Sequence, residues 1–192
     1  MCARAISPAT TGDVMSSSLT VLDPTEAGAA SLDADLADLP SELSGVRFGV
    51  LDNGKPNSDR FLSLLADRFV AEGALLYGTL RKPSIGRLAP TALLEELVGA
   101  CDLVVTGVGD CAGCCSCSVQ DGIAVERRGL PTVVIVTTEF LTTARISARA
   151  AGLPDYPFTV IDHPLGSLSP AQLGARAVLA MDHIRSRMAA AG

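Results

Sequence analysis

The 192-residue chain has no tryptophan, and aromatic residues make up only 4% of it. That scarcity argues against base-stacking platforms and aromatic cages, both of which need several large rings. Histidine is also scarce, with only His163 and His183. No run of eighteen uninterrupted apolar residues occurs, so no membrane span is expected. Met1-Cys2-Ala3-Arg4 lacks the basic and then apolar order of a secretory leader, which points to a cytoplasmic protein. Positive charge is in short supply as well: the net charge is −6, so a nucleic-acid partner gains no electrostatic help.

The charge is unevenly spread. Residues 1–45 hold seven acids and one base, a net of −6, which leaves fourteen of each sign in residues 46–192. The first 45 residues are rich in Ala, Ser, Thr, Asp and Pro with no sustained period, and read as a disordered acidic extension. Residues 46–192 read as one domain, within the usual size range.

From residue 46, β-rich runs alternate with helical stripes. Strands are expected at Val46–Asp52, Ala74–Leu80, Asp102–Val108, Leu130–Thr137 and Pro157–Asp162. Helices are expected at Ser58–Glu72, Thr91–Ala100, Ser118–Arg128, Phe140–Ala151 and Pro170–Met188. Apolar strands alternating with helices imply a parallel sheet covered on both faces. The expectation is a flavodoxin-like or Rossmann-like three-layer α/β sandwich with a five-strand, mostly parallel sheet. In such sheets ligands bind at the carboxyl ends of the strands. The post-strand segments therefore share one rim: Asn53 to Asn57, Arg81-Lys82-Pro83, Gly107 to Cys111, Thr138-Glu139 and His163-Pro164.

What is abundant is thiol. Four of the six cysteines fall within seven residues, at Cys111, Cys114, Cys115 and Cys117, just after a strand and at the opening of a helix. A helix start favours the thiolate, which is both the nucleophile and the metal-ligating form. Three readings compete. In the first, Cys111 attacks and Cys114 resolves a mixed disulfide or persulfide. In the second, Cys111, Cys114, Cys115 and Cys117 hold zinc, Cu(I) or an iron–sulfur cluster, although zinc sites usually split their ligands into two separated pairs. In the third, the cysteines are only small residues in a tight turn. Cys2 and Cys101 read as bystanders.

The run Gly109-Asp110-Cys111-Ala112-Gly113-Cys114, followed by Ser118-Val119-Gln120-Asp121-Gly122, resembles the UGSC-motif proteins. That family is named for selenocysteine-Gly-Ser-Cys. Its members resemble the Asp/Glu-racemase-like α/β proteins and carry a Gly-Asp-Sec/Cys-Gly-Ser-Cys loop before a Ser-Val-x-Asp-Gly helix start. The segment Leu51 to Asn57, the stretch Glu126 to Thr132 and the turn His163-Pro164-x-Gly166 are similar too. The resemblance covers about residues 46–168 and implies a redox-active or nucleophilic chalcogen at Cys111. The sequence departs from the motif with Ala112-Gly113 in place of Gly-Ser, and Cys115 and Cys117 are additional.

Supporting residues follow from the shared rim. His163 is placed to move a proton or to pair with a thiolate. Asp110 beside Cys111 reads as base or helix cap. Lys55 with Asn53 and Asn57 is suited to an anionic substrate group, and Gly109 permits close backbone approach. Glu139 either touches substrate or caps the next helix. Arg81 and Lys82 are expected to be solvated. A lone G-x-G after the third strand does not make a dinucleotide site.

The reading is a cysteine-dependent thiol reductase or sulfur transferase acting on a small-molecule substrate. Such an enzyme needs a thiol or a protein as electron donor, and a homo-oligomer is left open. A metal-binding protein and a non-catalytic partner subunit are the rivals.

Overall fold

The computed structural model describes residues 36–191. Five strands run through it: β1 (Arg47–Asp52), β2 (Leu75–Arg81), β3 (Leu103–Gly109), β4 (Thr132–Thr137) and β5 (Thr159–Ile161). Five α-helices alternate with them: α1 (Ser58–Ala71), α2 (Thr91–Ala100), α3 (Ala112–Glu126), α4 (Leu141–Ala150) and α5 (Pro170–Ala191). All neighbouring strands pair in parallel, in the order β2-β1-β3-β4-β5. The expected α/β sandwich is therefore present, and the sheet is parallel throughout. This is the flavodoxin-like strand order.

The strands follow from composition. β3 (LVVTGVG) and β4 (TVVIVT) are buried along their whole length, as continuous β-branched runs are when helices cover both faces. On one face α1 and α5 enclose Phe48, Phe61, Phe69, Leu103, Ile135 and Ile184. On the other, α2, α3 and α4 pack over Leu51, Leu97, Val104, Val134 and Ala148. Each buried Leu, Ile or Phe contributes on the order of 1.5–3 kcal/mol relative to exposure.

Two features differ from the sequence expectation. Residues 36–45 lie on the body: Leu39 and Leu43 are buried in the α1–α5 core. Two leucines among Asp, Ser and Pro are too sparse to show a period, so tertiary packing decides their fate. The rest of the expected extension, residues 1–35, lies outside the described residues. Second, α3 begins at Ala112, six residues before the expected start at Ser118, because the cysteine run itself winds into the first two turns.

Candidate functional site

In the order β2-β1-β3-β4-β5 the topological switch lies between β1 and β3. Their outgoing segments lead to helices on opposite faces and leave a crevice at the carboxyl edge. The cysteine run occupies that crevice. Cys111 is the N-cap of α3 in extended conformation, and its Sγ accepts the Cys114 N–H at 3.3 Å. A sulfur here takes the place of the usual Ser or Asp oxygen and meets the positive end of the helix. Cys111 and Cys117 are half-buried, whereas Cys114 and Cys115 are buried.

The thiols point in different directions. The Cys114 S–H faces the carbonyls of Cys111 (3.3 Å) and Val108 (3.7 Å), under the helix. The Cys115 S–H faces the Phe140 carbonyl at 3.5 Å, towards α4. Burial pushes the Cys114 thiol up to about 12, with its hydrogen bond to Cys111 acting the same way and Lys55 opposing. Burial likewise pushes Cys115 up to about 12 and Cys101 up to about 11. Burial also raises the Cys117 thiol, against the pull of Lys82. Among the described residues no group of three or more His, Cys, Asp or Glu is placed to hold a metal ion. The donor set for a four-thiolate centre is thus not assembled by these side chains.

On Asp110, the residue before Cys111, two bases converge. Asp110 is buried, and its Oδ1 lies 2.8 Å from His163 Nδ1 and accepts the Leu165 N–H at 3.2 Å. Lys55 Nζ lies 3.8 Å from Asp110 Oδ2 and donates to the Asp110 carbonyl at 3.3 Å. Thr137 Oγ1 is 3.2 Å from the same His163 nitrogen, and the His163 N–H donates to Thr138 Oγ1. With Nδ1 held by Asp110, the second ring nitrogen of His163 is left for other work. The His163–Pro164 bond is cis.

The other residues expected at the site build its walls. Asn53 is fully buried; its amide donates to the Val108 carbonyl (2.9 Å) and Ser118 Oγ (3.0 Å), tying β1 to β3 and α3. Asn57 adopts a left-handed φ of 67° and donates to the carbonyls of Leu165, Gly166 and Leu168. It clamps the segment that carries His163. Gly109 lies under α3, where a Cβ would meet Cys115 Cα at 3.1 Å. Glu139 is exposed on a 3-10 turn over Thr138–Phe140, away from these hydrogen bonds. Arg81 is exposed and lies 3.6 Å from Asp52.

Lys82 corrects the sequence expectation of a solvated base. Its side chain is fully buried and paired with Asp121 on α3, which also accepts the Ala89 N–H at 2.8 Å. Strand β2 ends at the edge of the helix layer, so the next residue turns inward rather than outward. The Ser-Val-x-Asp-Gly segment is thereby accounted for: Ser118 meets Asn53, Asp121 meets Lys82, and Gly122 lets α3 press on Val134. Sequence reasoning did not pair Lys82 with Asp121, nor Asp110 with His163, because partners 39 and 53 residues apart leave no local signal.

Fold and site together define a flavodoxin-like α/β protein that presents a half-buried cysteine, backed by an Asp–His pair, at its topological switch. The chain belongs to the UGSC family, whose model matches residues 20–190. No curated protein and no solved structure matches it. None of the described helices is long and apolar enough to cross a membrane.

Proposed function

We propose that this protein is a thiol-dependent oxidoreductase that reduces a small disulfide-bearing substrate through Cys111 and Cys114. The observation that carries the reading is the pairing of a half-buried Cys111 sulfur, at the start of α3, with a buried Cys114 three residues on. Cys111 is reachable and faces helix N–H groups, so it attacks. Cys114 is withheld as a protonated thiol, so it resolves.

The steps balance as follows. His163 takes the Cys111 proton, and the thiolate attacks one sulfur of R–S–S–R′. The S–S bond breaks, and R′S⁻ leaves with the proton from His163. Cys114 then attacks Cys111 Sγ, its proton passing by way of His163 to the departing RS⁻. The two thiols are oxidised to a disulfide, two electrons reduce the substrate, and two thiols are released. A thiol donor, small-molecule or protein, returns the chain to the dithiol. Asp110 orients His163 through Nδ1, and Lys55 attracts an anionic group on the substrate.

Trapping tests this directly. Reduced protein is treated with a small symmetric disulfide, quenched in acid and weighed. Wild type should lose two hydrogens as an internal disulfide, whereas Cys114→Ser should retain one half of the reagent on Cys111. Labelling of Cys114→Ser that persists unchanged when Cys111→Ser is added would sink the reading. Metal that co-purifies with anaerobic protein and is lost in Cys114→Ser would move it to the metal-binding alternative.

A further inference from the structure

The outer face of α4 and the adjoining end of α3 carry positive charge; the one acid there, Glu126, ends α3 and is taken up by the Ala37 and Thr132 N–H groups and the Tyr156 hydroxyl. The α4 sequence, LTTARISARA, holds no acid, and its Arg145 and Arg149 are exposed one turn apart. Arg127 and Arg128, just past the end of α3, are exposed as well, and Arg127 reaches the carbonyl of Ala151 at the end of α4. Among the described residues none of these four arginines is in an ion pair. Between the arginines of α4 stands Ile146, 65% exposed. A bare isoleucine flanked by unpaired arginines is a poor surface on its own and a good one for an acidic, partly apolar segment.

The described chain starts beside this face. Leu36 packs against the cluster that Ala144 and Ala148 of α4 help to build. The Ala37 N–H donates to Glu126 at 3.2 Å, next to Arg127. The preceding segment has the matching chemistry. Residues 20–35 contain Asp23, Glu26, Asp33 and Asp35 with no base, and the apolar Val21, Leu22 and Leu32. The family match begins at residue 20, so the family model takes in this segment. Reach is ample: sixteen extended residues span at most about 55 Å, whereas the ten of α4 rise about 15 Å.

We infer that residues 20–35 dock in cis on the arginine face of α4 and the end of α3, with acids meeting Arg127, Arg128, Arg145 and Arg149 and an apolar residue covering Ile146. The inference does not depend on the thiol chemistry. The docking is electrostatic and exposed, so salt weakens it.

The test uses the full chain and a glutamyl endopeptidase, with cleavage after Glu26 followed by intact mass. At low salt, wild type should be cut about tenfold more slowly than a free peptide of residues 16–36. High salt should bring it to the peptide rate, and so should Arg145→Glu with Arg149→Glu. Adding Asp33→Arg and Asp35→Arg to that variant should restore protection. The salt comparison needs no substitution, so it stands even if a variant folds poorly. Cleavage of wild type at the peptide rate in low salt overturns the inference, as does protection that neither salt nor the variants change. Protection that grows with protein concentration also overturns it, because the segment would then sit on a second copy.

Discussion

Two buried carboxylates, Asp121 within helix α3 and Asp110 just before it, are used differently. Asp121, on the α2 side, meets a Lys82 side chain that is 0% exposed, and it is itself 2% exposed. Asp110, at the crevice, meets a His163 that is 32% exposed and a Lys55 that is 18% exposed. The first pair is sealed and can only hold structure. The second has the same kind of acid but partners that reach solvent, one of them the residue type whose proton moves near neutral pH. Burial of the acid alone therefore does not mark a site; the access of its partner does. Substitutions should separate the two carboxylates on stability and chemistry.

The largest stability loss is expected on the sealed side. Lys82→Met leaves Asp121 charged, buried and unpaired, and should cost about 3–5 kcal/mol in chemical denaturation. Adding Asp121→Asn removes the orphan charge while keeping an acceptor for the Ala89 N–H, and should recover most of the loss. If Lys82→Met costs under about 1 kcal/mol, the sealed-pair description fails.

Alkali should act on both sides at once. The folded state holds Cys101 at about 11 and Cys114 and Cys115 at about 12, against an ordinary thiol value of 9.0. Between those values the unfolded thiols lose protons that the folded ones keep. The folded state then binds more protons, and stability falls as pH rises. The stabilisation is complete below about pH 9 and declines by about 1.4 kcal/mol per pH unit for each thiol above it. Urea unfolding from pH 8 to 10.5 checks this. Cys101→Ala should remove one share of the slope, whatever its effect on the absolute value.

These contrasts also show what the sequence made legible. The alternation of strands such as LPTVVIVT with amphipathic helices dictates the sandwich, because period and β-branching are local properties. The observed strands start within two residues of the expected ones, and the shared rim follows from parallel topology. The Cys111–Cys117 run stood out because cysteines are rarely so dense. The Lys82–Asp121 seal and the clamp of Asn57 on three carbonyls were hidden, since only tertiary packing turns a post-strand lysine inward and a loop asparagine onto another loop. Helix α3 was placed too late because cysteine has modest helix propensity, which the N-cap and packing override.

A middle-sized effect is expected at that clamp. Asn57→Ala forfeits the amide donor to Leu165, Gly166 and Leu168 and strains a left-handed φ, at about 1–3 kcal/mol. Asn57→Gly keeps the backbone at ease and isolates the amide. Under the proposed chemistry both should also slow mixed-disulfide formation at Cys111, because the clamped segment carries His163.

The smallest stability effect should come from His163→Gln, within about 1 kcal/mol, since a glutamine can still face Asp110 and the position is partly solvated. Its effect on chemistry should be the reverse. If His163 carries the proton for Cys111, the substitution should slow the first disulfide step by about 10²–10⁴-fold near neutral pH. The deficit should shrink as pH rises and hydroxide replaces the imidazole as the base that accepts the proton. A site asparagine or lysine that only shapes the crevice would slow the step evenly across pH, so the convergence of the two profiles at high pH separates proton transfer from positioning. If His163→Gln is as fast as wild type at pH 7, the open Asp110–His163 pair holds structure just as Lys82–Asp121 does, and the contrast between the two sides of α3 collapses.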